Sequence, residues 1–345
     1  MRRWPVIFLG AGSLLLLAIS FAQPVAVNQP TGKAQVQAVQ PAAKAQGQAV
    51  QPAGKAQVQP AQPAASKAQV QSAQKKPTTA INAGSSGAGN RYYPPDPAML
   101  RLIVQRLLSA AAGNKVQGKI FGLVSPDHGY LSSGIVAAAG YKQLPPSIKT
   151  VFILAPSHQP NFSGVSIPVS QSYRTPLGEV PLSAIAEKLS RQPGFTPAPK
   201  GQTHEQSIEI QLPFLQQALK RFELVPVLVG KTDPLKLAQQ IIPHLTDESL
   251  IIASSSLSEQ HPYDKAASLD KKTTTAITSF DFNTLASSEA SGKTSIAVLM
   301  EIARQKKWSA QLIDYKNSGN TTRARKQVAG FASIAFVEGG KQGKK

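Results

Sequence analysis

The chain contains no cysteine. There is therefore no disulfide framework, no thiolate nucleophile and no cysteine-ligated metal. Acidic residues are scarce as well: 18 Asp and Glu stand against 37 Lys and Arg, a formal charge of +19 over 345 residues. Aromatic residues make up only 6%. An excess of positive charge points towards anionic partners, but its distribution argues against nucleic acid. Residues 1–90 hold eight basic residues and no acidic one, leaving 29 against 18 for the rest of the chain. The basic residues beyond position 90 are scattered or terminal (Lys341, Lys344, Lys345), without the interleaved aromatics that single-strand binding requires. A glycine-rich phosphate loop and a Gly-x-Ser-x-Gly nucleophile elbow are also missing.

Residues 1–22 combine Arg2 and Arg3, an apolar run centred on Leu14–Leu17, and small residues before Gln23. This is the pattern of a secretory signal peptide, with an uncleaved N-terminal membrane anchor as the alternative. Without a cysteine after the run, a lipoprotein anchor is excluded. The chain is accordingly expected to be exported, periplasmic or at the cell surface. From 23 to 90 the sequence is Ala, Gln, Pro and Lys, with a repeated unit starting at Lys33, Lys44, Lys55 and Lys67. Proline in successive units forbids a continuous helix, and Ala buries too little to form a core. The stretch is read as a disordered linker that holds the following domain near a membrane or wall.

Composition changes at Arg91. The spacing predicts a helix over Pro97–Ala112, capped by Asp96 and stopped at Gly113. Short apolar runs predict strands at Ile120–Val124, Val151–Leu154, Leu224–Val229, Leu250–Ala253, Ala310–Asp314 and Gly330–Phe336. Helical patterns lie between them at Ser207–Phe222, Pro234–His244 and Thr294–Lys306. Such alternation predicts one α/β domain over 91–338, a mixed or largely parallel sheet with helices on both faces, followed by a basic tail at 339–345. In these sheets the site lies beyond the carboxyl ends of the strands. The predicted strand ends carry Asp127, His128 and Tyr130, then Ser157 and His158, then Ser254–Ser256 with Glu259 and His261. Four of the five histidines (His128, His158, His204, His261) flank these positions, whereas His244 ends a polar-faced helix where a charge–dipole contact accounts for it.

Seven ordered blocks now carry a resemblance. They are Arg91-Tyr-Tyr-Pro-Pro-Asp-Pro97, Pro126-Asp-His-Gly-Tyr-Leu-Ser-Ser-Gly134, Val151-Phe-Ile-Leu-Ala-Pro-Ser-His158, Tyr173-Arg-Thr-Pro-Leu-Gly178, Gln206-Ser-Ile-Glu-Ile-Gln-Leu-Pro-Phe-Leu215, Val225-Pro-Val-Leu-Val-Gly230 and Ser254-Ser-Ser-Leu-Ser258. Together they resemble the Memo-like family, whose bacterial members are called AmmeMemoRadiSam system protein B. The resemblance implies a domain similar to class III extradiol ring-cleaving dioxygenases, and with it a non-haem metal ion (iron, copper or zinc). Strand ends and family blocks together predict a pocket of Asp127, His128, Tyr130, Ser157, His158, Gln206, Glu209, Ser255, Ser256, His261 and Ser291.

This chain departs from the family's His, His, Cys ligand set. Asp127 stands at the first histidine, His158 keeps the second, and Ser291 takes the cysteine position before Gly292. Ser256 replaces an aspartate, and Gln206 replaces a histidine. Asp, His and Ser make a harder, weaker site than two imidazoles and a thiolate, so the metal is expected to be weakly bound or lost. A rebuilt set of one carboxylate (Asp127 or Glu209), His158 and one of His128, His204 or His261 would suit Fe(II). Two functions stay open: a metal-dependent oxidoreductase, or a catalytically degenerate protein that binds a small molecule or peptide at the cell envelope.

Overall fold

The computed structural model describes residues 80–82, 92–157, 162–168, 172–197 and 206–339. Residues 1–22, the linker apart from Ala80–Asn82, Arg91, His158, His204 and the tail beyond Gly339 lie outside the described residues.

The first helix follows its sequence signals. In α1 (Pro97–Ala110) the Asp96 side chain accepts from the Met99 N–H at 2.7 Å, and Pro97 occupies the first turn where no N–H is needed. Leu100 and Val104 are fully buried, each contributing roughly 1.5–3 kcal/mol of apolar transfer. The predicted strands appear as β2 (Ile120–Ser125), β3 (Thr150–Pro156), β8 (Glu223–Val229), β9 (Ser249–Ser254), β10 (Trp308–Asn317) and β11 (Gly330–Glu338). With β4 (Val165–Ile167) and β7 (Phe195–Pro197) they form an eight-stranded sheet in the order β10-β11-β2-β9-β3-β8-β4-β7. Its centre, β2, β9, β3 and β8, is parallel, while β11 runs antiparallel to β2 and β4 antiparallel to β8.

Side chains alternate across this sheet, and the two faces feed two separate cores. Val151, Ile153, Leu250 and Ile252 point into one with α1, α2 (Tyr130–Tyr141) and α5 (Leu212–Ala218). Phe152, Leu154, Ile251 and Ala253 point into the other with α6 (Pro234–Ile241), α7 (Tyr263–Ser279), α8 (Phe282–Ala286) and α9 (Lys293–Lys306). The expected α/β architecture with helices on both faces is what folds.

Three differences have local causes. The helix expected over Ser207–Phe222 is broken into α4 (Gln206–Glu209) and α5. Pro213 lacks an N–H, and its ring would clash with the carbonyl of Glu209 four residues earlier. Around the break, Ser207, Glu209 and Gln211 face different partners. Helix α2 gave no periodic signal because it is buried on nearly all sides. Its Gly140 packs closely, since a Cβ there would sit 2.3 Å from Ser333 Oγ and 2.8 Å from Leu123 Cδ1, so those buried side chains would have to shift. Finally, part of the stretch expected to be linker is a strand. Residues Ala80–Asn82 (β1) pair in parallel with Ser172–Arg174 of β5 (Ser172–Thr175), which is antiparallel to β6 (Gly178–Pro181) in a small second sheet. One further helix, α3 (Ala184–Ser190), follows β6.

Candidate functional site

The parallel strands end together at Ser125, Ser254, Pro156 and Val229. Beyond β2 the chain turns through Pro126 and Asp127, and Asp127 becomes the centre of a hydrogen-bonded cluster. Its Oδ1 accepts from Ser256 Oγ at 2.6 Å, and its Oδ2 accepts from Ser291 Oγ at 3.0 Å and from Ser207 Oγ at 3.4 Å. The three donors come from three segments: the turn after β9, the turn before α9, and α4. Ser207 and Ser256 are buried, Asp127 is half-buried and Ser291 is exposed, so the cluster opens to solvent on the Ser291 side.

The surrounding backbone is fixed to match. Ser291 Oγ accepts from the Ser256 N–H at 3.0 Å, and Ser255 Oγ accepts from the Gly292 N–H at 2.9 Å while donating to the Ser256 carbonyl. A side chain at position 292 is excluded, because a Cβ would meet the Ser254 carbonyl at 2.4 Å. Gln211, a residue that sequence reasoning missed, locks the layer beneath. Its amide donates to the Pro126 carbonyl at 3.0 Å and to Ser254 Oγ at 2.6 Å, and its carbonyl accepts from the Tyr141 hydroxyl at 2.6 Å. The available signal was a lone amide within an otherwise apolar run, Ile210 to Leu215. Ser254 Oγ in turn donates to the Ser207 carbonyl at 2.6 Å.

A second carboxylate, Glu209, is 2% exposed. The Tyr93 hydroxyl donates to its Oε1, and its Oε2 has no partner among the described residues. Burial pushes the Glu209 carboxyl above the usual carboxylate range, partly offset by the Tyr93 hydrogen bond. Burial, reinforced by the charge of Glu209, pushes the Tyr93 hydroxyl up. Tyr93 also packs on Tyr130, with ring centroids 5.5 Å apart.

Of the residues expected to form the pocket, Asp127, Ser255, Ser256 and Ser291 converge, and Ser207 joins them. Ser157 follows β3, its N–H donating to the Val229 carbonyl at 3.4 Å. Gln206 opens α4 and contributes its carbonyl to the Ile210 N–H. Tyr130 belongs to the core rather than the pocket, its hydroxyl donating to the Ile210 carbonyl at 2.7 Å. His128 packs its ring against Phe331 with centroids 5.4 Å apart, and its buried Nδ1 has no partner among the described residues. His261 bonds Glu289 at 2.8 Å rather than Asp127. His244 ends α6 in a short 3₁₀ turn.

Relatives place this arrangement. The family described as Memo-like protein matches residues 84–335. The chain belongs to the Memo-like family. A MEMO1 family protein of Archaeoglobus fulgidus is 32% identical over 262 residues, covering 71% of this chain and 96% of the relative. One from Methanopyrus kandleri is 31% identical over 284 residues, covering 74% and 99%, and one from Aquifex aeolicus is 26% identical over 260 residues, covering 71% and 96%.

The non-haem metal expected of a Memo-like domain can be tested against the donors present. Among the described residues, no three His, Cys, Asp or Glu side chains come together. Asp127 brings the sole carboxylate of the cluster, and its neighbours are neutral hydroxyls that point their protons at it. A metal would have to displace those protons and accept serine oxygens as weak ligands. The described donors do not fit such a centre.

Proposed function

We propose that this chain is an exported, envelope-tethered Memo-like domain whose strand-end cluster around Asp127 binds a small polar molecule or a peptide, without metal-dependent oxidation. The observation that carries this reading is the saturation of Asp127 by serine hydroxyls from three segments. No cationic side chain bonds the Asp127 carboxylate among the described residues, so the complementary group on a ligand is an ammonium or another strong donor. The exposed Ser291 hydroxyl is the partner such a group would displace. Export and tethering rest on the basic-flanked apolar run at residues 1–22 and the Ala, Gln, Pro and Lys repeats after it.

Isothermal titration with Fe(II), Cu(II) and Zn(II) tests the reading. The wild type is expected to show no tight stoichiometric binding, whereas Asp127→His combined with Ser291→Cys is expected to gain it. A parallel arm uses 1,5-diaminopentane as a cationic probe, which should raise the melting temperature of the wild type and not of Asp127→Asn. Tight one-to-one metal binding by the wild type, lost in His158→Ala, would overturn the proposal in favour of the oxidoreductase.

A further inference from the structure

A second feature stands at the same end of the sheet. Strand β11 is antiparallel to β2, so its first residues lie beside the carboxyl end of β2. Gly330 exchanges backbone hydrogen bonds with Leu257 and Ser258, just beyond the Ser256 that bonds Asp127. The connection entering β11 comes from α10 (Ser318–Thr322) and contains Arg323, Arg325 and Lys326. From Tyr315 to Val337 the chain has no acidic residue. Residues 320–327 are all exposed, and among the described residues none of the three cations is ion-paired.

This loop is held in shape. The Arg325 guanidinium lies 4.0 Å over the Tyr263 ring, and the Arg325 carbonyl accepts from the Tyr263 N–H at 3.0 Å. The Tyr263 hydroxyl accepts from Asn320 at 3.0 Å. Gly319 is required for this wrap, because a Cβ would lie 2.5 Å from the Ala324 carbonyl. Exposed cations on a fixed turn keep their charge free for a partner while losing little entropy on docking.

We propose that Arg323, Arg325 and Lys326 dock this domain onto the anionic phospholipid headgroups of a bilayer. Nucleic acid is disfavoured because Arg325 already covers the Tyr263 ring, taking that platform from base stacking. A lipid surface fits the rest of the chain. Residues 1–90 carry only positive charge and begin with a basic-flanked apolar run, so the domain is delivered beside headgroups. Docking through this loop would turn the Asp127 end of the sheet towards the bilayer. The identity of the surface rests on the envelope placement proposed above, but the docking itself is independent of what Asp127 binds.

The test is amide hydrogen exchange on the full chain, which separates loop contacts from anything the N-terminal segment does. Vesicles of phosphatidylglycerol should slow exchange in residues 319–327, and vesicles of phosphatidylcholine should not. Each basic residue at an anionic surface contributes about 1 kcal/mol, a fivefold factor, so the combined Arg323→Ser, Arg325→Ser and Lys326→Ser variant should lose the protection entirely. A charge-matched control, Lys220→Ser with Arg221→Ser and Lys236→Ser, should keep it. Equal protection on both lipids, no protection on either, loss in the control, or protection by inorganic polyphosphate but not by vesicles would each overturn the proposal.

Discussion

Ser207 and Glu209 sit two residues apart on one four-residue helix, yet they serve carboxylates in opposite conditions. Asp127, served by Ser207, is half-buried and collects hydroxyls from three segments. Glu209 is almost completely buried and, among the described residues, collects one, from Tyr93, leaving Oε2 without a partner there. A buried polar oxygen without a donor carries its full desolvation cost, whereas a carboxylate with several donors holds its charge at little expense. The first region is built to gather hydroxyl donors on a carboxyl group that faces solvent. The second buries a carboxyl against a single tyrosine hydroxyl, which raises the cost of its ionised form. A third carboxylate at this end, Asp270, lies between them in character. It is fully buried and raised by burial, but the Ser258 N–H at 2.9 Å and the Tyr315 hydroxyl at 2.7 Å offset part of the shift.

The comparison breaks most sharply at Asp127. Asp127→Ala removes the acceptor of three hydroxyls, two of them buried. Each buried hydroxyl left unmet costs about 1–3 kcal/mol, so denaturant unfolding should show a loss of roughly 3 kcal/mol. Asp127→Asn keeps acceptor capacity at one oxygen and should lose about half of that. An alanine variant as stable as the wild type would mean that the serines do not depend on the carboxylate. Tyr93→Phe is the matching change at the other carboxylate. The ring and its packing on Tyr130 survive, while Glu209 loses the donor to Oε1, and a loss of about 1 kcal/mol is expected in the same measurement.

Much of this region was legible in the sequence, for a physical reason. Parallel strands buried on both faces read as apolar runs, and the residues just after each run must lie at one end of the sheet. Asp127, Ser255 and Ser256 could therefore be brought together from spacing alone. Ser291 precedes a helix rather than following a strand, and only the family resemblance pointed to it. Gln211 and Asp270 escaped notice because a buried polar residue inside a helical stretch has no periodic signature; its partners are distant in sequence. The same holds for α7, whose Thr273–Thr275 run and buried Asp270 dilute the apolar pattern. His261 misled for the opposite reason. It follows a strand end, as expected of a site residue, but Glu289 lies closer to hand.

The smallest effect, and the one that tests the sign of the comparison, is expected from Glu209→Gln. Below the ordinary carboxylate range Glu209 is protonated in both the folded and the unfolded chain, so it contributes no pH dependence there. As pH rises through that range, the unfolded chain releases its proton first, because burial holds the folded carboxyl higher. The unfolded state then binds fewer protons than the folded state, and stability falls with rising pH until the folded group also ionises. Glutamine cannot ionise, keeps an oxygen for the Tyr93 hydroxyl and places an amide where Oε2 lacks a partner. The melting temperature of Glu209→Gln relative to the wild type should therefore climb as pH rises through and above the ordinary carboxylate range, starting near equality. Asp270 titrates in both proteins and cancels from the difference. Parallel melting curves across that range would show that the wild-type carboxylate is solvated, and the contrast with Asp127 would then collapse to a difference in hydrogen-bond count alone.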